Sequence, residues 1–347
     1  MFKAEEECTA TPWSNVYGLA RTLIALSTMA TLLVNDTSIL WIPAAGIPDA
    51  PICGTPGPVP NLFCLDPTQL RLAKWVAIAV LAVAASGWRP RFTGVLHWWV
   101  THSFVSSALL VDGGDQLSST LTLLLVPLTL SDGRTWHWQA APTWPKTVRG
   151  SLRAGLGAFT LWILRLQVAV VYLNAAASKW GEQEWSDGTA LYYWFADPAF
   201  GFTPALHAWV GPLMHNPFIV STMTWGVIAF EFALFGGLFL RDRLPRHILL
   251  VMGLTFHAGI AVVHGLPSFV LIMYGALILL FRREDEPFAF EAVAKSIGAL
   301  VRRTRAIREN SRNGSRPAAA TVVEAGSSHA GTGPCSPGAY VVTSVAP

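Results

Sequence analysis

Charged residues are scarce in this chain. Asp, Glu, Lys and Arg make up 13% of its 347 residues, whereas apolar residues make up 52% and the mean hydropathy is +0.43. Soluble domains carry about 25% charged residues, so this composition excludes an ordinary water-soluble globular protein. The net charge of +3 is also too small to indicate a nucleic acid as a partner.

Several signatures of known chemistry are absent as well. The sequence has no Walker-type phosphate loop, no Gly-x-Ser-x-Gly elbow and no dinucleotide fingerprint. Its four cysteines include no Cys-x-x-Cys pair, and no metal site is predicted. The first residues are acidic and no convincing cleavage site follows the first apolar stretch, so we expect the first helix to be retained.

Long apolar windows dominate what is present. A helix needs about 20 apolar residues to cross a bilayer. Windows of roughly this length predict an all-α integral membrane bundle of about eight transmembrane helices in a domain spanning 1–285; they are 16–36, 70–88, 93–111, 116–131, 153–178, 217–240, 247–264 and 267–282.

Basic residues in the short loops predict the orientation, because cytoplasmic loops carry an excess of Lys and Arg. Alternate connections are basic, at Arg89, Arg91, Arg134, Lys146, Arg149, Arg241, Arg243 and Arg246. The other connections contain a single basic residue, Lys179. They span 37–69, 112–115, 179–216 and 265–266. Both termini are therefore expected in the cytoplasm, and we predict a multi-pass protein of a bacterial cell membrane.

Two segments outside the helices have a distinctive composition. Residues 286–347 begin basic and amphipathic and then become rich in Ala, Gly, Ser and Pro, which predicts a disordered cytoplasmic tail. The outward connection 179–216 contains Tyr192–Phe195, Phe200 and Trp209 with few charges, which is typical of an amphipathic or re-entrant segment at the membrane surface.

Cys53 and Cys64 lie in the first outward loop, where an oxidising compartment permits a disulfide. We expect these two cysteines to be bonded; the alternative is a pair of free thiols.

Ionisable residues inside the predicted helices need partners or a function, because an unpaired charge in hydrocarbon is costly. Arg165, Glu231 and His257 each fall about 15–18 Å from the cytoplasmic end of a helix. We expect Arg165 and Glu231 to form an ion pair with a histidine beside it. Three interpretations remain open: a structural polar cluster, a proton relay or substrate contact, and a metal site.

Lys179 ends a stripe along the fifth window. Arg165, Tyr172 and Lys179 recur every seven residues and so share one helix face. Lys179 either extends its side chain to the interface or, if partly desolvated, acts as a general base.

Asp112 and Asp115 flank a Gly-Gly pair before the fourth window. They could bind a cation or a basic peptide, or one could orient Lys179. A tight turn that uses Gly and Asp for its backbone geometry is the plain alternative.

Several of these segments together resemble the HTTM superfamily, which includes the vitamin K-dependent gamma-carboxylase and the bacterial sporulation-delaying protein B group. The resemblance spans about 15–285 and is closest to the bacterial group. Its segments are Asn15-Val-Tyr-Gly-Leu-Ala-Arg21, Val111-Asp-Gly-Gly-Asp-Gln116, Tyr172–Trp180, Glu184-Trp185, Tyr192-Tyr193-Trp194, Glu231 and Phe256-His257.

The resemblance implies a role for Lys179. In the carboxylase, the segment similar to Tyr172–Trp180 ends in a lysine that acts as a base on a reduced quinone, so a quinone is a cofactor that the resemblance allows. This chain departs from the carboxylase at 113–116, where a histidine is replaced by Gly-Gly-Asp-Gln, and in lacking the large lumenal domain. Both departures disfavour carboxylation itself.

The resulting hypothesis is a membrane factor that matures a secreted, toxin-like peptide together with a small partner protein, through quinone-linked chemistry at the outer face. The candidate catalytic residues are Lys179, Asp112, Asp115, Glu231 and His257. A non-enzymatic transporter or immunity-type scaffold is one alternative, and a quinone-dependent carboxylase is another.

Overall fold

The computed structural model describes residues 11–43, 50–54, 59–140, 147–198 and 200–289. These residues are helical apart from connecting turns and one isolated bridge between Trp88 and Trp136. The α-helices are α1 (Asn15–Val34), α2 (Thr37–Leu40), α3 (Leu70–Ser86), α4 (Pro90–Ser107), α5 (Gly113–Ser131), α6 (Val148–Trp180), α7 (Gln183–Ser186), α8 (Ala190–Ala196), α9 (Pro204–Met214), α10 (Pro217–Gly236), α11 (Arg243–His264) and α12 (Pro267–Phe281).

Each predicted window lies on one long helix, so the all-helical prediction is confirmed. Five helical stretches in the described part of the chain are long and apolar enough to cross a membrane: Asn15–Val34, Pro67–Ser86, Gly150–Trp180, Pro217–Phe239 and Arg243–His264. The number of about eight crossings stays a prediction.

The helices α4 and α5 are less apolar than these five stretches, and their polar side chains point inward. Thr101 of α4 and Thr122 of α5 are fully or almost fully buried, and their hydroxyl oxygens lie 2.8 Å apart. Ser103 and Ser118 are buried in the same way. These hydroxyl groups form hydrogen bonds inside the bundle. The low hydropathy of α4 and α5 therefore reflects polar contacts between packed helices.

Helix starts follow local sequence signals. Ser14 caps α1 by accepting a hydrogen bond from the backbone N–H of Val16, and Asn216 caps α10 in the same way. Proline occupies the first position of α10 and of α12, where the missing N–H has no helical partner to lose.

The core is organised around α12, which packs against α1, α5, α6 and α11. This position explains why α12 is apolar on all sides. Gly275 permits a close approach to α1, because a Cβ atom there would lie 2.9 Å from the carbonyl oxygen of Ala20. A second apolar cluster joins α1, α3 and α4, where Trp41 packs against Phe63 with ring centroids 4.6 Å apart and ring planes inclined by 40°.

The disulfide between Cys53 and Cys64 is present, as predicted. It lies beside a 3-10 turn at Leu62–Cys64, which is fixed to α4 by a hydrogen bond from the Leu62 N–H to the Ser103 hydroxyl. We call this end of the bundle, which also carries 35–43, 59–69, 108–112, 181–198 and 200–216, the disulfide end.

The opposite end, which we call the basic end, carries 87–89, 132–140, 237–242 and 282–288. Asn15 and Phe288 exchange two hydrogen bonds of 2.8 Å there. Arg246 donates to Glu286 at 2.6 Å and to the Phe281 carbonyl at 2.6 Å. Residues 286–288 of the predicted tail thus contact α1 and α11, and the tail beyond 289 lies outside the described residues.

The connection 181–216 contains the short helices α7, α8 and α9. Tyr192, Tyr193 and Trp209 are exposed on it. Its placement at a membrane surface remains a prediction.

Loss of the disulfide should lower stability. Because the bond closes a loop between residues 11 apart in sequence, Cys53→Ser is expected to cost about 2–3 kcal/mol. Thermal unfolding of the detergent-purified protein measures this, with Cys335→Ser as the matched control. Equal unfolding temperatures for the Cys53→Ser variant and the original chain would contradict the prediction.

The Glu286 ion pair should make the basic end sensitive to acid. Burial alone would raise the pKa of Glu286, but the hydrogen bond and charge of Arg246 outweigh it and hold the pKa below its ordinary value. A carboxyl with a lowered pKa adds stability above its unfolded-state pKa of about 4.3, and that stability is lost as the pH falls through the folded-state pKa.

The unfolding temperature of Glu286→Gln should therefore lie below that of the original chain near neutral pH and approach it in acid. Asp285→Asn, which removes a half-exposed carboxylate, is the control and should show little difference at either pH. A gap for Glu286→Gln that is unchanged by acid would rule out this role for the ion pair.

Candidate functional site

The central feature of the candidate site is a buried ion pair between Lys179 on the last turn of α6 and Glu231 on α10. The Lys179 Nζ donates to both carboxylate oxygens of Glu231, at 2.8 and 3.0 Å, and to the Ala175 carbonyl at 3.3 Å. The side chain of Glu231 is 8% exposed and that of Lys179 is 22% exposed. The pair is thus largely screened from solvent.

Helix geometry explains why these two residues meet. Side chains on an α-helix lean toward the N-terminus of their own helix. Because α6 and α10 run in opposite directions and pack together, Lys179 leans down from the disulfide end while Glu231 leans up toward it. The hydrogen bond from Lys179 to Ala175 shows this lean directly.

The predicted ion pair between Arg165 and Glu231 is wrong. Arg165 donates to Glu284 at 2.5 Å and to the Leu279 carbonyl at 3.3 Å, both at or near the basic end. The lean that brings Lys179 to Glu231 carries Arg165 away from it. In addition, α6 has 33 residues and is about 50 Å long, so depth counted from its first residues overestimates how far Arg165 lies inside a bilayer.

Glu284 was missing from the predicted pairs because it follows the last apolar window. Burial alone would raise its pKa, but the charge and hydrogen bond of Arg165 hold the pKa below its ordinary value. The sequence feature that indicates a partner for Arg165 here is the acidic run Glu284–Glu286, which directly follows Arg282 and Arg283.

Tyr172 lies one seven-residue step below Lys179 on the same face of α6. It is 3% exposed, and its hydroxyl has no hydrogen-bond partner among the described residues. Its ring centroid is 6.1 Å from that of His257, and its hydroxyl interacts electrostatically with Glu231. The predicted stripe on α6 therefore does lead into the site, through Tyr172 and Lys179.

His257 on α11 adds a group that can bind a proton. Its Nδ1 lies 2.8 Å from the Gly253 carbonyl oxygen, which can only accept a hydrogen bond. The neutral ring therefore carries its proton on Nδ1, which leaves Nε2 as an acceptor. His257 is 2% exposed and also packs against Phe269.

Trp185 of α7 covers the site at the disulfide end. The Lys179 Nζ lies 5.3 Å from the centroid of the indole ring, which is within the range of a cation–π interaction. Trp225 of α10 fixes this cover by donating from its indole N–H to the Ser186 carbonyl at 3.3 Å.

Asp112 and Asp115 form a capping box at the start of α5. The Asp112 carboxylate accepts from the Asp115 N–H at 2.8 Å, and the Asp115 carboxylate accepts from the Asp112 N–H at 3.3 Å. This reciprocal arrangement matches the plain interpretation of the Gly-Gly turn. Among the described residues, the carboxylate that accepts hydrogen bonds from Lys179 belongs to Glu231.

The described residues contain no group of three or more His, Cys, Asp or Glu side chains that could hold a metal ion. The site instead combines an amine, a carboxylate, a phenol and an imidazole with aromatic and apolar neighbours. Such a set can bind and transfer protons.

Comparison with known proteins identifies the family. A family model described as the HTTM domain matches residues 146–285. The uncharacterized protein YitO of Bacillus subtilis (strain 168) is 40% identical over 287 residues, which are 82% of this chain and 90% of YitO. The sporulation-delaying protein SdpB of the same organism is 36% identical over 274 residues, 78% of this chain and 82% of SdpB. The chain belongs to this HTTM family.

The HTTM match contains α6 through α12 and so includes the whole cluster of Tyr172, Lys179, Glu231 and His257. Asp112 and Asp115 lie outside it. No solved structure matches the chain.

Removal of the Glu231 charge should destabilise this HTTM protein. The variant Glu231→Gln leaves the Lys179 ammonium buried against a neutral amide, and we expect a loss of about 2 kcal/mol in the free energy of unfolding. Thermal unfolding in detergent measures it. Glu182→Gln, at an exposed position near the same end, is the control, and equal unfolding temperatures for the two variants would refute the prediction.

Proposed function

We propose that the chain is an integral factor of a bacterial cell membrane that matures a secreted peptide, and that Lys179 performs the chemistry at the outer face. The observation that carries this proposal is the shielded pair of Lys179 with Glu231. SdpB is named a sporulation-delaying protein. The peptide substrate is what the resemblance of this chain to that bacterial group implies.

The disulfide supports the proposed orientation. Disulfides persist in oxidising compartments, and Cys53–Cys64 lies at the end of the bundle toward which α6 runs before it ends at Trp180. The basic end carries Arg89, Arg134 and Arg282, which the charge rule assigns to the cytoplasm. Both signals support an extracytoplasmic position for the disulfide end.

The pair can supply a base. Transfer of one proton from Lys179 to Glu231 converts two charges into a neutral amine and a neutral acid, which a shielded environment favours relative to water. The amine of Lys179 then accepts a proton from a bound substrate. Tyr172 interacts electrostatically with Glu231 and can donate its hydroxyl proton to a substrate oxygen. His257, whose ring centroid is 6.1 Å from that of Tyr172, can accept the displaced proton on Nε2.

Two groups of the site are of the kind that contacts a quinone, the cofactor that the resemblance allows. Trp185 provides an aromatic face, and the unpartnered hydroxyl of Tyr172 provides a donor for a quinone oxygen. A bound quinone would supply redox chemistry, and Lys179 would accept a proton from its reduced form. The peptide substrate and a small partner protein remain part of the same proposal.

The test is Lys179→Met in the bacterium that carries this gene. Mass spectrometry of the culture medium should show loss of the processed form of a secreted peptide whose precursor is encoded beside the gene, with an unchanged amount of protein in the membrane. Arg71→Gln, which removes an exposed cation at the same end, is the control and should leave processing unchanged.

Unchanged processing in the Lys179→Met variant would contradict a chemical role for the amine. It would favour the alternative of a non-enzymatic transporter or scaffold. Lys179→Arg separates charge from chemistry, because arginine keeps the positive charge but does not release its proton. Processing restored by Lys179→Arg would also count against a general base.

A further inference from the structure

The basic end contains a second buried polar cluster, around Arg21 of α1. Arg21 is 1% exposed, and the one hydrogen bond that it forms to the described residues runs from Nη2 to the Thr93 hydroxyl at 2.6 Å. Its Nε and Nη1 have no partner among the described residues. A guanidinium has five N–H donors, so most of the donors of Arg21 are buried and unused.

The carboxylate in this cluster is already committed. Asp132 accepts from Arg134 through Nε at 3.0 Å and Nη2 at 2.8 Å, and it also accepts the hydroxyl of Tyr17. Asp132 interacts electrostatically with Arg21 but forms no hydrogen bond to it in the described structure. Two guanidinium groups therefore share one carboxylate, and the described part of the chain supplies no separate counter-ion for Arg21.

Two imidazoles near Arg21 are also incompletely bonded. The Nε2 of His97 and the Nδ1 of His137 are buried and lack partners among the described residues. Both rings lie within electrostatic range of Arg21. With neutral histidines, the cluster of Arg21, Arg134 and Asp132 has one positive charge in excess.

A buried charge needs either a counter-charge or a full set of hydrogen bonds. We infer that Arg21, with His97 beside it, binds a small monovalent anion at the basic end. A second carboxylate would serve as well, but none in the described part of the chain reaches Arg21. A monovalent ion is favoured because it balances the single excess charge.

The site is distinct from the proposed catalytic cluster. Arg21, Thr93, His97 and His137 all lie outside the HTTM match at 146–285, and they join α1, α4 and the turn after α5. The role of a bound anion here is to complete the packing of these elements. It can therefore be tested without any measurement of peptide maturation.

The first experiment uses the full chain purified in sodium gluconate. Chloride, bromide or formate is added at constant ionic strength, and thermal unfolding is recorded. We expect a saturable rise in the unfolding temperature of about 5 °C near one hundred times the dissociation constant. Arg21→Gln should lose this anion-dependent rise, whereas Arg243→Gln, at an arginine whose side chain is 68% exposed, should keep it.

A second measurement does not depend on a variant that folds. Crystals of the original chain grown in bromide should show an anomalous scattering peak within hydrogen-bond distance of Arg21. Ordered water alone at Arg21, no saturable shift, or an equal shift in the Arg21→Gln variant would each overturn the inference.

Discussion

The ion pair between Lys179 and Glu231 is the interaction on which the proposed site depends. It joins the end of the longest helix, α6, to α10 in the apolar interior, where an unpaired ion would be costly. Trp185 then covers the amine, and Tyr172 and His257 lie beneath it. An amine is thereby held beside a carboxylate and under an aromatic cover, and this arrangement is the basis of the proposed function.

The architecture followed closely from apolar patterning. Every apolar window became one long helix, and the pairing of Cys53 with Cys64 followed from the oxidising side assigned to its loop. Patterning could not show that α4 and α5 turn hydroxyls such as Thr101 and Thr122 inward, because that depends on which helices are neighbours.

The candidate site was predicted less well, for a geometric reason. Depth counted along each helix put Arg165 and Glu231 at the same level, but it ignored the direction in which side chains lean. That direction takes Arg165 to Glu284 and brings Lys179 to Glu231. The seven-residue spacing did place Tyr172 and Lys179 on one face of α6, because residues that share a face of one helix can be identified without knowing which helices are its neighbours.

A double-mutant cycle tests the central pairing most directly. The free energies of unfolding of Lys179→Met, Glu231→Gln and the double variant should give a coupling of about 2 kcal/mol, whereas the same cycle for Arg165→Met with Glu231→Gln should give a coupling near zero. Strong coupling between Arg165 and Glu231, with none between Lys179 and Glu231, would contradict the account.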